Sequence, residues 1–175
     1  MNTGQMLITI GAIFLLSSII LTVNRGLLNT NSVMMDNRYG IMAVSLATSI
    51  IETATNKAFD EQSDTLGLSS TNSLTLSNAL GLDAGESRDS VGKFDDFDDY
   101  NCFKSIPKVD SLPLLGTDSL IYFNTYCEVK YVSSDDPQVV SVNRTWNKRI
   151  DVKVTSPGLS DTVRMSTVYS YFFFR

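Results

Sequence analysis

The chain has 175 residues and a net charge of −5, from 14 Lys and Arg against 19 Asp and Glu, and it contains no histidine. This length suits one globular core plus an appendage rather than two domains. The missing histidine excludes Ser-His-Asp, Cys-His and His-ligated metal sites, and no P-loop or dinucleotide-binding glycine pattern is present, so an enzyme is not expected. An acidic balance without Lys/Arg clusters gives nucleic acid no electrostatic footing either.

The first element is Met6 to Val23, MLITIGAIFLLSSIILTV, eighteen residues without a charge. That reaches the length of a membrane-spanning candidate. A cleaved secretory signal would put a basic flank before a shorter apolar run and a small-residue cleavage site after it. Residues 1–5 carry no Lys or Arg, and the run ends in Val23-Asn24-Arg25. The expectation is a membrane or filament-core helix, with a removed signal peptide or a buried core helix as the competing readings. Gly11, Ala12, Ser17 and Ser18 are small enough to let neighbouring helices approach, while Ile8, Phe14, Leu15 and Ile19 fill the space between them.

Helical spacing continues through Val33, Met34, Ile41, Val44, Ile50, Ile51, Ala54 and Ala58, with no proline before Pro107. An unbroken helix from Met6 to Phe59 would be about 80 Å long, against the roughly 30 Å of a bilayer core, so its second half is expected to pack on protein. Gly26, Gly40 and the polar stretch from Asn24 to Ser32 are the expected sites of a bend or local melting.

From Asp60 to about Ser90 the composition turns to Ser, Thr, Asn, Gly and acids, which reads as an ordered surface loop with turns. Three later segments, Ser119 to Val132, Ser141 to Thr155 and Thr162 to Phe174, are rich in β-branched and aromatic residues with stretches of alternation, and read as strands. Ile150, Val152 and Val154 face one way, Asp151 and Lys153 the other. Turn signals stand at Asp135-Asp136-Pro137 and Pro157-Gly158. The apolar face of such a sheet needs a cover, for which the second half of the long helix is available. The expected class is α+β: residues 1–59 as the N-terminal helix, with 6–23 its membrane or filament-core segment, and residues 60–175 as an exported β-rich domain.

Asp95, Asp96, Asp98 and Asp99, with Glu86 and Asp89 upstream, form the one dense polar group. Calcium, which takes six to eight oxygens, would relieve their mutual repulsion and is the one candidate cofactor. Alternatively the acids are the wet face of a helical turn whose Phe94, Phe97 and Tyr100, at i, i+3 and i+6, pack inward. If the apolar run delivers the rest of the chain outside the cytoplasm, an oxidising compartment makes a Cys102–Cys127 disulfide the expected state, worth about 3–4 kcal/mol. Two buried free thiols are the alternative.

A long apolar N-terminal helix, a variable loop and a C-terminal antiparallel sheet resembles type IV pilins and type II secretion pseudopilins. Three stretches carry the likeness: Gln5-Met6-Leu7-Ile8 before the apolar run, Glu86-Ser87-Arg88 followed by Phe94-Asp95-Asp96-Phe97-Asp98-Asp99-Tyr100-Asn101, and Lys148-Arg149-Ile150-Asp151-Val152-Lys153-Val154-Thr155-Ser156-Pro157. With Met1 as the first mature residue, Gln5 stands where the family usually has Glu; a cut after Gly4 would place Thr9 there. Both registers lack the carboxylate, so helix docking would rely more on packing by Gln5, Met6, Ile8, Gly11, Ala12, Phe14, Leu15 and Ile19. The resemblance implies a minor-pilin-like filament subunit whose partners are copies of itself and a pilus or secretion assembly machinery. It implies storage in a bacterial inner membrane and then a place in a surface filament. The competing functional class is a bitopic anchored domain that binds a partner or ligand.

Overall fold

A computed structural model describes residues 2–65, 67–83, 85–87, 91–105, 112–113 and 120–172. Helix α1 runs over Thr3–Thr55, and the chain divides into two compact units, Met1–Tyr39 and Gly40–Arg175. The helical backbone continues through Gly26, Gly40 and the Asn-rich stretch, so the local melting expected there does not occur. The polar side chains there bond back to their own helix: Thr30 Oγ1 donates to the Gly26 carbonyl at 2.9 Å and Ser32 Oγ to the Asn29 carbonyl at 2.8 Å. A hydroxyl held this way no longer offers the backbone an alternative to helix.

In the second unit, α1 is followed by the short helix α2 (Glu61–Thr65) and by single 3-10 turns at Thr71–Ser73, Val91–Lys93 and Asp98–Tyr100. The expected loop therefore has turns of its own. Strands β1 (Leu112–Pro113) and β2 (Leu120–Ile121) pair antiparallel. Strands β3 (Asn124–Tyr131), β4 (Asn147–Thr155) and β5 (Val163–Ser170) form an antiparallel sheet in the order β3-β4-β5. Cys127 stands opposite Val152, and Val152 opposite Met165. Three expected strands are thus present, each shorter at its start than its composition suggested; Phe173 and Phe174 lie outside the described residues.

The period of two fixes one buried face. Thr125, Cys127, Val129 and Tyr131 of β3 and Lys148, Ile150, Val152 and Val154 of β4 are all buried. Part of the cover is the last part of α1, through Ala43, Ala47 and Ala54, with Thr48 Oγ1 directed at the Met165 sulfur of β5 at 3.8 Å. Of the apolar positions expected on this stripe, Ala54 is buried and Ile50 and Ile51 are half-buried, while Ile41 and Val44 are exposed. Ala43, Ala47 and Ala54, at i, i+4 and i+11, fall on one face of the helix. A second cluster, Phe59, Leu74, Tyr131 and Tyr171, packs with Leu68, Leu80, Trp146 and Tyr169.

Both cysteines are free thiols, so the expected Cys102–Cys127 disulfide is not formed. Alternation along β3 sends Cys127 into the core beside Tyr100, whereas Cys102, at φ 60°, lies beside the Tyr126 phenol. Adjacent residues of a strand point to opposite faces, so Tyr126, the neighbour of Cys102, and Cys127 leave β3 on different sides.

Candidate functional site

Two features stand out from an ordinary small domain. The first is the leading part of α1, where residues 2–34 are all exposed. Gln5, Met6, Ile8, Gly11, Ala12, Phe14, Leu15 and Ile19 belong to it, with Ile8 73% and Phe14 74% accessible; Met1 lies outside the described residues. By length and composition this helix is able to cross a membrane, a criterion that a secretory signal also meets. Its hydroxyls suit apolar surroundings: Thr9 Oγ1 donates to the Met6 carbonyl, Ser17 Oγ to Ile13 and Thr22 Oγ1 to Ser18, each at 2.9 Å. No hydroxyl donor among those three is left for lipid to strand.

The second feature is the acidic turn. Phe94, Phe97 and Tyr100 are buried as expected, though not on one helical turn, since only Asp98–Tyr100 forms a 3-10 turn and Asp96 bridges to Ala58; Phe94 meets Tyr100 edge-on at 5.1 Å. Three of the acids are not its wet face: Asp96, Asp98 and Asp99 are at most 2% exposed, and Asp95 alone of the four is exposed. Two of the buried carboxylates hold the turn's own backbone. Asp96 Oδ1 accepts from the Asp98 and Asp99 amides at 2.8 and 3.1 Å, and Asp99 Oδ2 from those of Asp95 and Asp96 at 3.0 and 3.1 Å. The amide of Ala58 donates to the Asp95 carbonyl, and the Phe97 amide to the Ala58 carbonyl, joining the turn to the segment after α1.

Asp98 instead meets Lys148. The wholly buried Lys148 ammonium donates to Asp98 Oδ1, to Asp60 Oδ2 at 2.9 Å and to the Phe59 carbonyl at 2.8 Å, which uses its three protons. It also lies 4.7 Å from the Phe59 ring centre and 5.4 Å from that of Tyr131. Asp60 accepts further from the Thr75 amide and hydroxyl at 3.0 and 3.2 Å, and the Tyr131 hydroxyl donates to the Thr75 carbonyl at 2.8 Å. Fully bonded, this lysine is a clamp between β4, the acidic turn and the segment after α1, with no proton or lone pair spare for catalysis. The pattern reading missed both Lys148 and Asp60. The signal was present for Lys148, since counting back by two from Ile150, Val152 and Val154 reaches it.

The four aspartates named as a calcium set therefore part company. Asp98 goes to Lys148, Asp96 joins Glu61 and Asp83, and Asp95 and Asp99 join Glu86; in each of the two triads the carboxylate oxygens lie within 4.8 Å of one another. Asp89 lies outside the described residues. Burial, then the neighbouring Asp98, pushes the Asp96 carboxyl up to about 9. Burial, then Glu86 beside it, pushes Asp99 up to about 7. No family model, curated protein or solved structure matches the chain.

Proposed function

We propose that this chain is a non-enzymatic structural subunit of a type IV pilin-like or pseudopilin-like filament, assembled by packing of its N-terminal helices. One observation carries the reading: the apolar run Met6 to Val23 is exposed around its whole circumference, on a helix long and apolar enough to cross a membrane. Each buried Å² of apolar surface is worth about 25 cal/mol, so such a run needs lipid or other helices around it. Gly11 and Ala12 support helix packing as the use, because small residues let neighbouring helices approach closely.

In this reading the helix waits in the inner membrane, and the assembly machinery then moves it into a bundle with copies of itself. The sheet domain stays on the outside. With Gln5 in place of an acid near the helix start, cohesion comes from shape. The test is electron microscopy of sheared surface material with mass spectrometry of its N-terminus. Filaments containing this chain, lost when residues 6–23 are deleted, are expected. A chain that stays in the membrane fraction as single copies would replace the filament reading with that of an anchored binding domain.

A further inference from the structure

The triad Glu86, Asp95 and Asp99 brings two segments of the chain together, with carboxylate oxygens within 4.8 Å of one another. Glu86 is held on one side by a tight turn: its Oε2 accepts from the Asp83 amide at 3.1 Å, and its own amide donates to the Asp83 carbonyl at 3.2 Å. Gly85, at φ +109°, allows that turn. Asp99, 1% exposed, is held on the other side by the two amides that its Oδ2 accepts. What remains is Glu86 Oε1 and Asp99 Oδ1, both buried and both without a hydrogen-bond donor among the described residues. Among the described residues no Lys or Arg forms an ion pair with any of the three acids.

Buried oxygens of this kind are rarely left bare, and between two carboxylates the group that satisfies them is positive. A proton shared by Glu86 and Asp99 would satisfy two oxygens and leave Asp95 unused. Asp95 completes the triad within the same 4.8 Å and is exposed, which opens the cluster to solvent on one side. An ion would have an entry path there, and water could complete its shell. Three carboxylates on loops, with room for water, suit the six to eight flexible oxygen contacts of calcium better than the strict octahedron of magnesium. We propose that Glu86, Asp95 and Asp99 bind one hard divalent cation of the calcium class, tying the loop of Asp83–Glu86 to the acidic turn.

The test is calorimetric titration of the full-length chain, purified in detergent and stripped with chelator, with calcium chloride at neutral pH. Terbium luminescence sensitised by the nearby Tyr100 is a second readout. One site is expected, with a Kd in the range of about 10⁻⁴ to 10⁻³ M usual for extracellular calcium modules, and a Tm that rises with calcium. Glu86→Gln keeps an acceptor for the Asp83 amide. It is expected to weaken binding by about tenfold or more while leaving the Tm in chelator unchanged or higher. Asp95→Asn, on an exposed residue, weakens binding in the same way, and Glu61→Gln in the neighbouring triad does not. A titration with no saturable calcium or terbium signal would overturn the proposal in favour of the shared proton. Binding unchanged in both Glu86→Gln and Asp95→Asn would overturn it by placing the ion elsewhere.

Discussion

The Lys148 ammonium donates to the Asp60 carboxylate at 2.9 Å with both side chains wholly buried. This bond ties the central strand of the sheet to the first residues after α1, and Asp98 brings the acidic turn to the same point.

Removing the cation is expected to be far more harmful than removing the network. Lys148→Ala leaves Asp60 and Asp98 buried without a counter-charge, and breaking a buried pair from one side costs about 3–5 kcal/mol. Adding Asp98→Asn to that variant should recover part of the loss. Urea denaturation of the two variants checks this; equal stabilities would show that an unpaired Asp98 is no part of what the loss of Lys148 costs.

Stability is expected to fall as pH rises from about 4 to about 9 when chelator is present. Asp96 and Asp99 hold folded-state pKa values of about 9 and about 7, above the ordinary 3.8. In that window the folded chain keeps protons that the unfolded chain has released, so stability is full below the unfolded pKa and is lost as pH rises through the folded values. A Tm higher near pH 5 than near pH 8 is the expected outcome, and a rising Tm over the same interval would contradict it.

The two thiols should differ sharply in reactivity. Burial pushes the Cys127 thiol up to about 12, so little thiolate forms at a pH of about 8, whereas Cys102 is only half-buried. Iodoacetamide on the folded, unreduced protein should modify Cys102 alone, and both cysteines once denaturant is added. Protection of both in denaturant would mean that they are disulfide-linked after all.

Gly11→Leu should leave membrane insertion intact and lower filament yield, because insertion follows total hydrophobicity and helix packing follows shape. Ile13→Asp should impair both, with an insertion cost of about 2.5–3.5 kcal/mol for the charge at mid-membrane. Membrane fractionation together with filament counts separates the two effects. Undiminished filament yield from Gly11→Leu would remove the packing role of this glycine.

Local pattern alone was enough for the long helix, the three strands, the inward Phe94, Phe97 and Tyr100, and the face on which Ile150, Val152 and Val154 lie. The helix and the strands follow from a period of 3.6 or 2 repeated over several residues, which neighbours in sequence already specify; the three aromatics are buried without a continuous helical turn between them. Which side chains meet was decided only by the tertiary structure. Whether Asp98 is wet or buried depends on Lys148, fifty residues later, and the partner of Asp99 depends on a turn at Gly85 that composition leaves unplaced. Ala43 and Ala47 are buried on α1 while Ile41 and Val44 are exposed, a choice of face that the apolar spacing along the helix left open. The cysteines stand on opposite sides of one strand, a separation that counting cysteines cannot reveal. Charge pairing and burial are set by residues far apart in the chain, and a sequence states such distances only after it has folded.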